Sequence, residues 1–190
     1  MHSTETLDAI ASRHSCRAYL DTPVPAELLR IVVQAGLHAP SAVNRQPWRL
    51  IVVTDPEVLT QIGTIGLANL KANDPGSYAR IQSRGGRLLY DATAMIIVAT
   101  DSTVASDHVA MDAGIVASHV ALAATAVGLN SCIAALPGLA FTASDGQELT
   151  ERVIPAGFSF AISVLLGYGV EPDAPAHPID ESKVIYRTAA

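Results

Sequence analysis

Apolar residues recur along the chain with two periods, and the switches between them divide it into helices and strands. Leu7, Ile10 and Ala11 fall on one side of a first helix that Ser3 or Thr4 can cap and that runs toward Arg13. Leu28, Leu29, Val32 and Val33 keep helical spacing after Pro25, which suits a first turn, and Pro40 closes the segment. Trp48 to Thr54 is a β-branched apolar run and predicts a strand. Asp55-Pro56-Glu57 then offers a cap, a fixed φ and a first-turn acid to another helix. From Asn73 to Gly86 no period holds, so this stretch is expected to be a mobile excursion over a site. Ala94 to Thr100 is continuously apolar and too short for a typical helix, which predicts a strand buried on both faces. A long helix follows from Val109 to Val127, with Gly128 placed to end it. Ser131 to Ala135 and Phe158 to Leu166 predict two more strands, with a small helix over Glu148 to Val153 between them. Beyond a proline-rich stretch, Val184-Ile185-Tyr186 is a short β-like piece that needs a sheet edge to pair with.

No repeat and no Ser/Gly linker divides the 190 residues, so residues 1–190 read as one domain of α/β or α+β class with a mixed sheet. The 49% hydrophobic and 16% charged shares exclude a disordered chain. A net charge of −6 argues against nucleic acid as a partner. Cys16 and Cys132 lie far apart in sequence, which suggests neither a disulfide scaffold nor a zinc site, and a reducing cytoplasm fits. The first residues lack the pattern of a secretory signal. Val109 to Leu129 is long enough to cross a bilayer but carries Asp112 and His119. A central Asp costs roughly 2.5 to 3.5 kcal/mol on insertion, so a buried helix is expected and no membrane partner.

Three segments hold candidate chemistry. Arg13-His14-Ser15-Cys16-Arg17 concentrates anion-binding groups in an acidic chain: guanidinium forks match phosphate, and serine and backbone N–H groups can complete the shell. Basic residues are also favoured near a helix C-terminus by the dipole alone. Ala39 to Trp48 combines restricted backbone with Ser41, Asn44 and Gln46, which can serve a heteroaromatic edge that needs donors and acceptors; a capped helix-to-strand turn is the plainer use. Trp48 is expected in the core. In the long helix, Ala110, Gly114, Ala117, Ala121, Ala124 and Gly128 make one thin face, suited to close approach by a second copy or to burial within the monomer. Cys132 is expected to be a buried inert thiol, and His119 a hydrogen-bonded core histidine.

In their order along the chain these segments resemble the FMN-dependent nitroreductase family. Arg13-His-Ser-Cys-Arg17 is similar to its R-x-S-x-R opening, and Ala39-Pro-Ser-Ala-Val-Asn-Arg-Gln-Pro-Trp48 to its A-P-S-x-x-N-x-Q-P-W loop. Asp112 through Leu129 is similar to its long helix, and Gly128-Leu-Asn-Ser-Cys132 and Ile154 to Tyr168 match later signatures. The resemblance spans nearly the whole chain. It implies an α+β, three-layer α/β/α sandwich with a central mixed β-sheet, in an intertwined homodimer with FMN at the subunit interface. Arg13, Ser15 and Arg17 are implied at the phosphate and ribityl end with His14 beside the ring, and Pro40, Ser41, Ala42 and Asn44 are implied to approach from the partner subunit. Backbone groups of Ile133, Ala134 and Ala135 are implied against the flavin near N5. Arg84 or Arg87 is implied at the pyrimidine edge, Arg87 being the candidate. Family members often carry basic residues in the tail for the phosphate; here the stretch reads Pro175-Ala-His-Pro178, leaving His177 as the titratable candidate.

The implied activity is oxidation of NADH or NADPH by FMN, followed by reduction of an electron-poor acceptor such as a nitroaromatic or quinone. No side chain is assigned as catalytic and none as a metal ligand. A flavin-sequestering protein without turnover, or a dehydrogenase or dehalogenase on the same fold, are the alternatives.

Overall fold

The computed structural model describes residues 4–170 and 178–188. The helices are α1 (Glu5–Ser12), α2 (Ala26–Leu37), α3 (Pro56–Asn73), α4 (Pro75–Gln82), α5 (His108–Ala126), α6 (Leu139–Thr142) and α7 (Gln147–Val153). The strands are β1 (Trp48–Val53), β2 (Ala94–Asp101), β3 (Asn130–Ala134) and β4 (Phe158–Gly167), in spatial order β1-β2-β4-β3. All three strand pairs are antiparallel. The mixed character expected of the sheet is confined to one parallel bridge, Ser15 to Ser131, on the β3 edge.

Alternation along β2 explains the three layers. Ala94, Ile96 and Val98 point into a core shared with α2 and α5, while Met95, Ile97 and Ala99 point into a second core under α3, α6 and α7. All six are fully buried. β4 divides likewise, with Val164 and Leu166 on the α5 side and Leu165 on the other. On α5, Val116 and Val120 are fully buried against the sheet, each contributing roughly 1.5 to 3 kcal/mol. The helix that by length and composition could cross a membrane is therefore the core helix of this fold.

That packing corrects the thin-face expectation. Ala117, Ala121 and Ala124 lie in the chain's own core, and the exposed positions of α5 are His108, Ala110, Met111, Gly114, Ser118 and Ala126. A Cβ added at Gly114 would meet nothing within 4 Å.

The excursion between Asn73 and Gly86 is also corrected, because it forms α4. Asp74 caps it by accepting from the Ser77 N–H at 2.9 Å, Pro75 fits the first turn, and Ile81 packs with Leu70 and Leu88. The expected terminal strand is absent: Val184, Ile185 and Tyr186 follow a 3₁₀ turn, form no ladder and are exposed. A strand requires a paired edge, and this stretch has none among the described residues. Other expectations hold. Asp55 caps α3 by accepting from the Glu57 N–H, and Gly128, at φ 79°, follows the C-cap of α5, whereas Pro25 stands one residue before the first turn expected of it, at the N-cap of α2.

Candidate functional site

The segment from Arg13 to Tyr19 leaves α1 and is stitched across the ends of β3 and β4. The Arg13 N–H still donates to the Ala9 carbonyl at 3.0 Å, but its ψ of 124° ends the helix. The Cys16 N–H then donates to the Ser131 carbonyl at 2.9 Å, and the Leu20 N–H to Tyr168 at 2.8 Å. Cys16 and Tyr19 are the inward anchors, 8% and 5% exposed. The residues between and before them turn outward, so Arg13, His14 and Ser15 are half-buried and Arg17 is exposed. A Cβ added at Gly167 would stand 2.8 Å from the Tyr19 ring, so glycine there is what lets the ring close onto β4.

Among the described residues the ion pairs are Arg87 with Asp91 and Lys183 with Asp180, so neither Arg13 nor Arg17 has a carboxylate partner in a chain of net charge −6. Both guanidiniums and the Ser15 hydroxyl are close enough to Cys132 to act on its thiol. Burial pushes that thiol's pKa up, and Arg17, Ser15 and Arg13 partly oppose the shift. The Tyr19 hydroxyl is held neutral, chiefly by burial, with the neighbouring Cys16 and Cys132 adding to the effect. Both cysteines are buried and unbridged, and for Cys132 the burial is as expected. Ser131 is 1% exposed, and its Oγ is the buried side-chain polar atom without a hydrogen-bond partner among the described residues. Two cations without carboxylate partners and a serine on one turn form a donor set suited to a phosphorylated, hydroxylated ligand; the Ser131 hydroxyl, on the opposite face of β3 from Cys132, stands outside it, and Ser131 meets the turn through its backbone.

The backbone segment runs on from there. Ile133 and Ala134 end β3 and Ala135 follows it, all at half-exposed or exposed positions, before a 3₁₀ turn over Leu136–Gly138. The buried Ser163 hydroxyl donates to the Ala134 carbonyl at 2.8 Å, and the Asn69 amide of α3 donates to the Leu139 carbonyl at 3.1 Å. Asn69 escaped the sequence reading because nothing in its helical surroundings distinguishes it from a surface asparagine.

Pro40, Ser41, Ala42 and Asn44 lie elsewhere. Ala42–Asn44 is a single 3₁₀ turn with Val43 and Asn44 at φ 49° and 54°, and Gln46 follows at φ 50°. The Ala42 N–H donates to Asp112 near the start of α5, whereas Ser131 lies just past its end. At 1.5 Å per residue those two ends are about 20 Å apart, so one chain does not bring the arginine turn and the 40–44 bend together. Trp48, beyond the bend, is buried as expected.

Arg87 is not brought to the turn either. It pairs with Asp91 and lines a cavity of about 490 Å³ between α3 and residues 86–93, in which none of Arg13, Ser15 and Arg17 takes part. His14 accompanies Ser15, its Nδ1 3.1 Å from the Ser12 carbonyl oxygen. His119 bonds the Ile115 carbonyl at 3.0 Å, as a core histidine does. His177 lies outside the described residues.

The profile of the nitroreductase family matches residues 10–141, and the chain belongs to that family. A crystal structure of a nitroreductase with bound FMN from Desulfitobacterium hafniense DCB-2 shares 39% identity and superimposes with a TM-score of 0.91, over 99% of this chain and 100% of that one. A nitroreductase with bound FMN from Bacteroides fragilis NCTC 9343 has 24% identity and a TM-score of 0.83, over 98% and 100% of the two chains, and shows the same fold. The NADH dehydrogenase of Thermus thermophilus is 54% identical over 48 residues, 25% of this chain and 23% of that protein. The chain spans less than half the length of the curated relatives it matches.

Proposed function

We propose that this chain is an FMN-dependent NAD(P)H oxidoreductase that works as a homodimer in the cytoplasm and reduces electron-poor acceptors such as nitroaromatics or quinones. The observation that carries the reading is the pair of arginines four residues apart around Ser15, neither with a carboxylate partner among the described residues, on a turn held by the Cys16-to-Ser131 and Leu20-to-Tyr168 backbone bonds. The flavin-binding, highly similar Desulfitobacterium structure supports it. When bound, FMN would supply the two-electron chemistry.

The chain's own residues bind and orient. Arg13, Ser15 and Arg17 would hold the phosphate and ribityl end, with His14 on the ring side, and the backbone of Ile133, Ala134 and Ala135 would offer support to the ring. Because the bend at Pro40, Ser41, Ala42 and Asn44 lies about 20 Å away along α5, it serves the site of a second copy. A two-fold arrangement in which the start of one α5 meets the end of the other completes both sites at once. The exposed apolar residues Leu7, Ile10 and Met111 belong to the face such a partner covers.

Steady-state oxidation of NADH and NADPH with added FMN and a quinone tests the activity. Turnover that requires FMN supports it, and tight flavin binding without turnover favours a sequestering protein instead.

A further inference from the structure

We propose that Asp112 is the positioning residue that holds the 41–46 bend in its site-competent form. The consequence for FMN rests on the flavin reading above; the geometry does not. Asp112 is 5% exposed, between the exposed Met111 and the core residue Ala113, and its Oδ1 accepts the Ala42 N–H at 3.1 Å. A buried carboxylate on an otherwise apolar helix is costly unless its oxygens are used.

What it holds is strained. Val43, Asn44 and Gln46 all have positive φ, and for a β-branched residue such as Val43 that conformation is an outlier. Strain of this kind persists only where the surroundings over-determine it. Several bonds are internal to the bend: Asn44 N–H to the Ser41 carbonyl, Arg45 N–H to the Ala42 carbonyl, Gln46 N–H to the Ser41 hydroxyl, and the Gln46 amide to the Asn44 side-chain oxygen. These keep the bend's shape but leave its orientation open. The Asp112 bond ties that shape to α5 and so fixes where Ser41 and Asn44 point. The strand side adds the Asp101 N–H to the Pro47 carbonyl, one residue outside the bend.

The test is amide hydrogen exchange across residues 41–46 of the full chain, with FMN affinity measured in parallel. In the wild type the Ala42 amide should exchange at least about tenfold more slowly than that of Val43, since its hydrogen bond to the Asp112 side chain protects it. Asp112→Leu, or Asp112→Ala if the former does not fold, should remove that protection and weaken FMN binding about tenfold. Asp112→Asn keeps an acceptor oxygen at the same place and should recover most of both, which a merely space-filling residue would not. Equal exchange at Ala42 and Val43 in the wild type, or unchanged protection and affinity in a folded Asp112→Leu protein, overturns the proposal. Failure of the wild type to bind FMN overturns the flavin reading alone, and the exchange arm then decides Asp112 by itself.

Discussion

Ser15 and Ser131 form a parallel bridge at the edge of an otherwise antiparallel sheet, and this pairing holds the arginine turn beside the end of α5. Tyr19 reinforces it with a second bridge, to Gly169, and by packing its ring over Gly167. The turn is therefore set by the β-core and not by α1, none of whose residues is buried.

Replacing Gly167 by Ala should disturb the site from inside the fold. The new Cβ would sit 2.8 Å from one Tyr19 ring carbon and 3.3 Å from another, so the ring must move. Overpacking of this kind costs about 1 to 3 kcal/mol. Thermal denaturation should show the loss, and flavin affinity should fall with it because Tyr19 anchors the turn.

Replacing Val43 by Gly should stabilise the chain. Val43 is 86% exposed and held at φ 49°, so its side chain contributes little packing while its backbone is strained. Relieving a left-handed conformation recovers about 1 kcal/mol. Chemical denaturation gives the sign directly, and a destabilised variant would mean that Val43 is covered in the native assembly.

Asp101 should support stability only above the acid range. Its carboxylate accepts the Thr103 hydroxyl at 2.7 Å and the Thr103 N–H at 2.8 Å, and these bonds hold its pKa below the usual carboxylate value. A depressed folded pKa stabilises the fold above the unfolded value of about 3.9, and that contribution is lost as pH falls through the lower folded value. Asp101→Asn should therefore be less stable than the wild type at neutral pH, and the gap should close on acidification. A gap that persists in acid would assign the effect to shape and not to charge.

A site shared between copies predicts complementation. Arg13→Ala and Asn44→Ala subunits should each bind FMN poorly, yet a mixed dimer has one site with neither change. Unfolding and refolding an equal mixture should restore about a quarter of wild-type binding capacity. No recovery in refolded mixed dimers would place both residues in one subunit's site.

Much of the fold was legible because it rests on local signals. The continuous apolar run in β2, the Asp55-Pro56 start of α3 and Gly128 after α5 each follow from a few neighbouring residues. The arginine turn and the Ala39–Trp48 loop were legible as chemistry because guanidinium, hydroxyl and amide groups cluster there. Whatever depends on distant partners was not. α4 was missed because its burial comes from Leu70 and Leu88, outside the segment, and the role of Asp112 depends on Ala42, seventy residues away. Arg84 and Arg87 could not be separated by sequence, since the ion pair with Asp91 appears only when the chain turns at Tyr90 and Asp91.

Titration of flavin-free protein with FMN and with riboflavin, in the wild type and in Arg13→Ala, probes the phosphate cradle most directly. Each charge-assisted hydrogen bond contributes about 1.5 to 3 kcal/mol, so the wild type should prefer FMN over riboflavin by at least tenfold. That preference should largely disappear in Arg13→Ala while riboflavin affinity stays the same. Equal affinity for the two flavins in the wild type, or an undiminished preference in the variant, would contradict a phosphate site at the arginine turn.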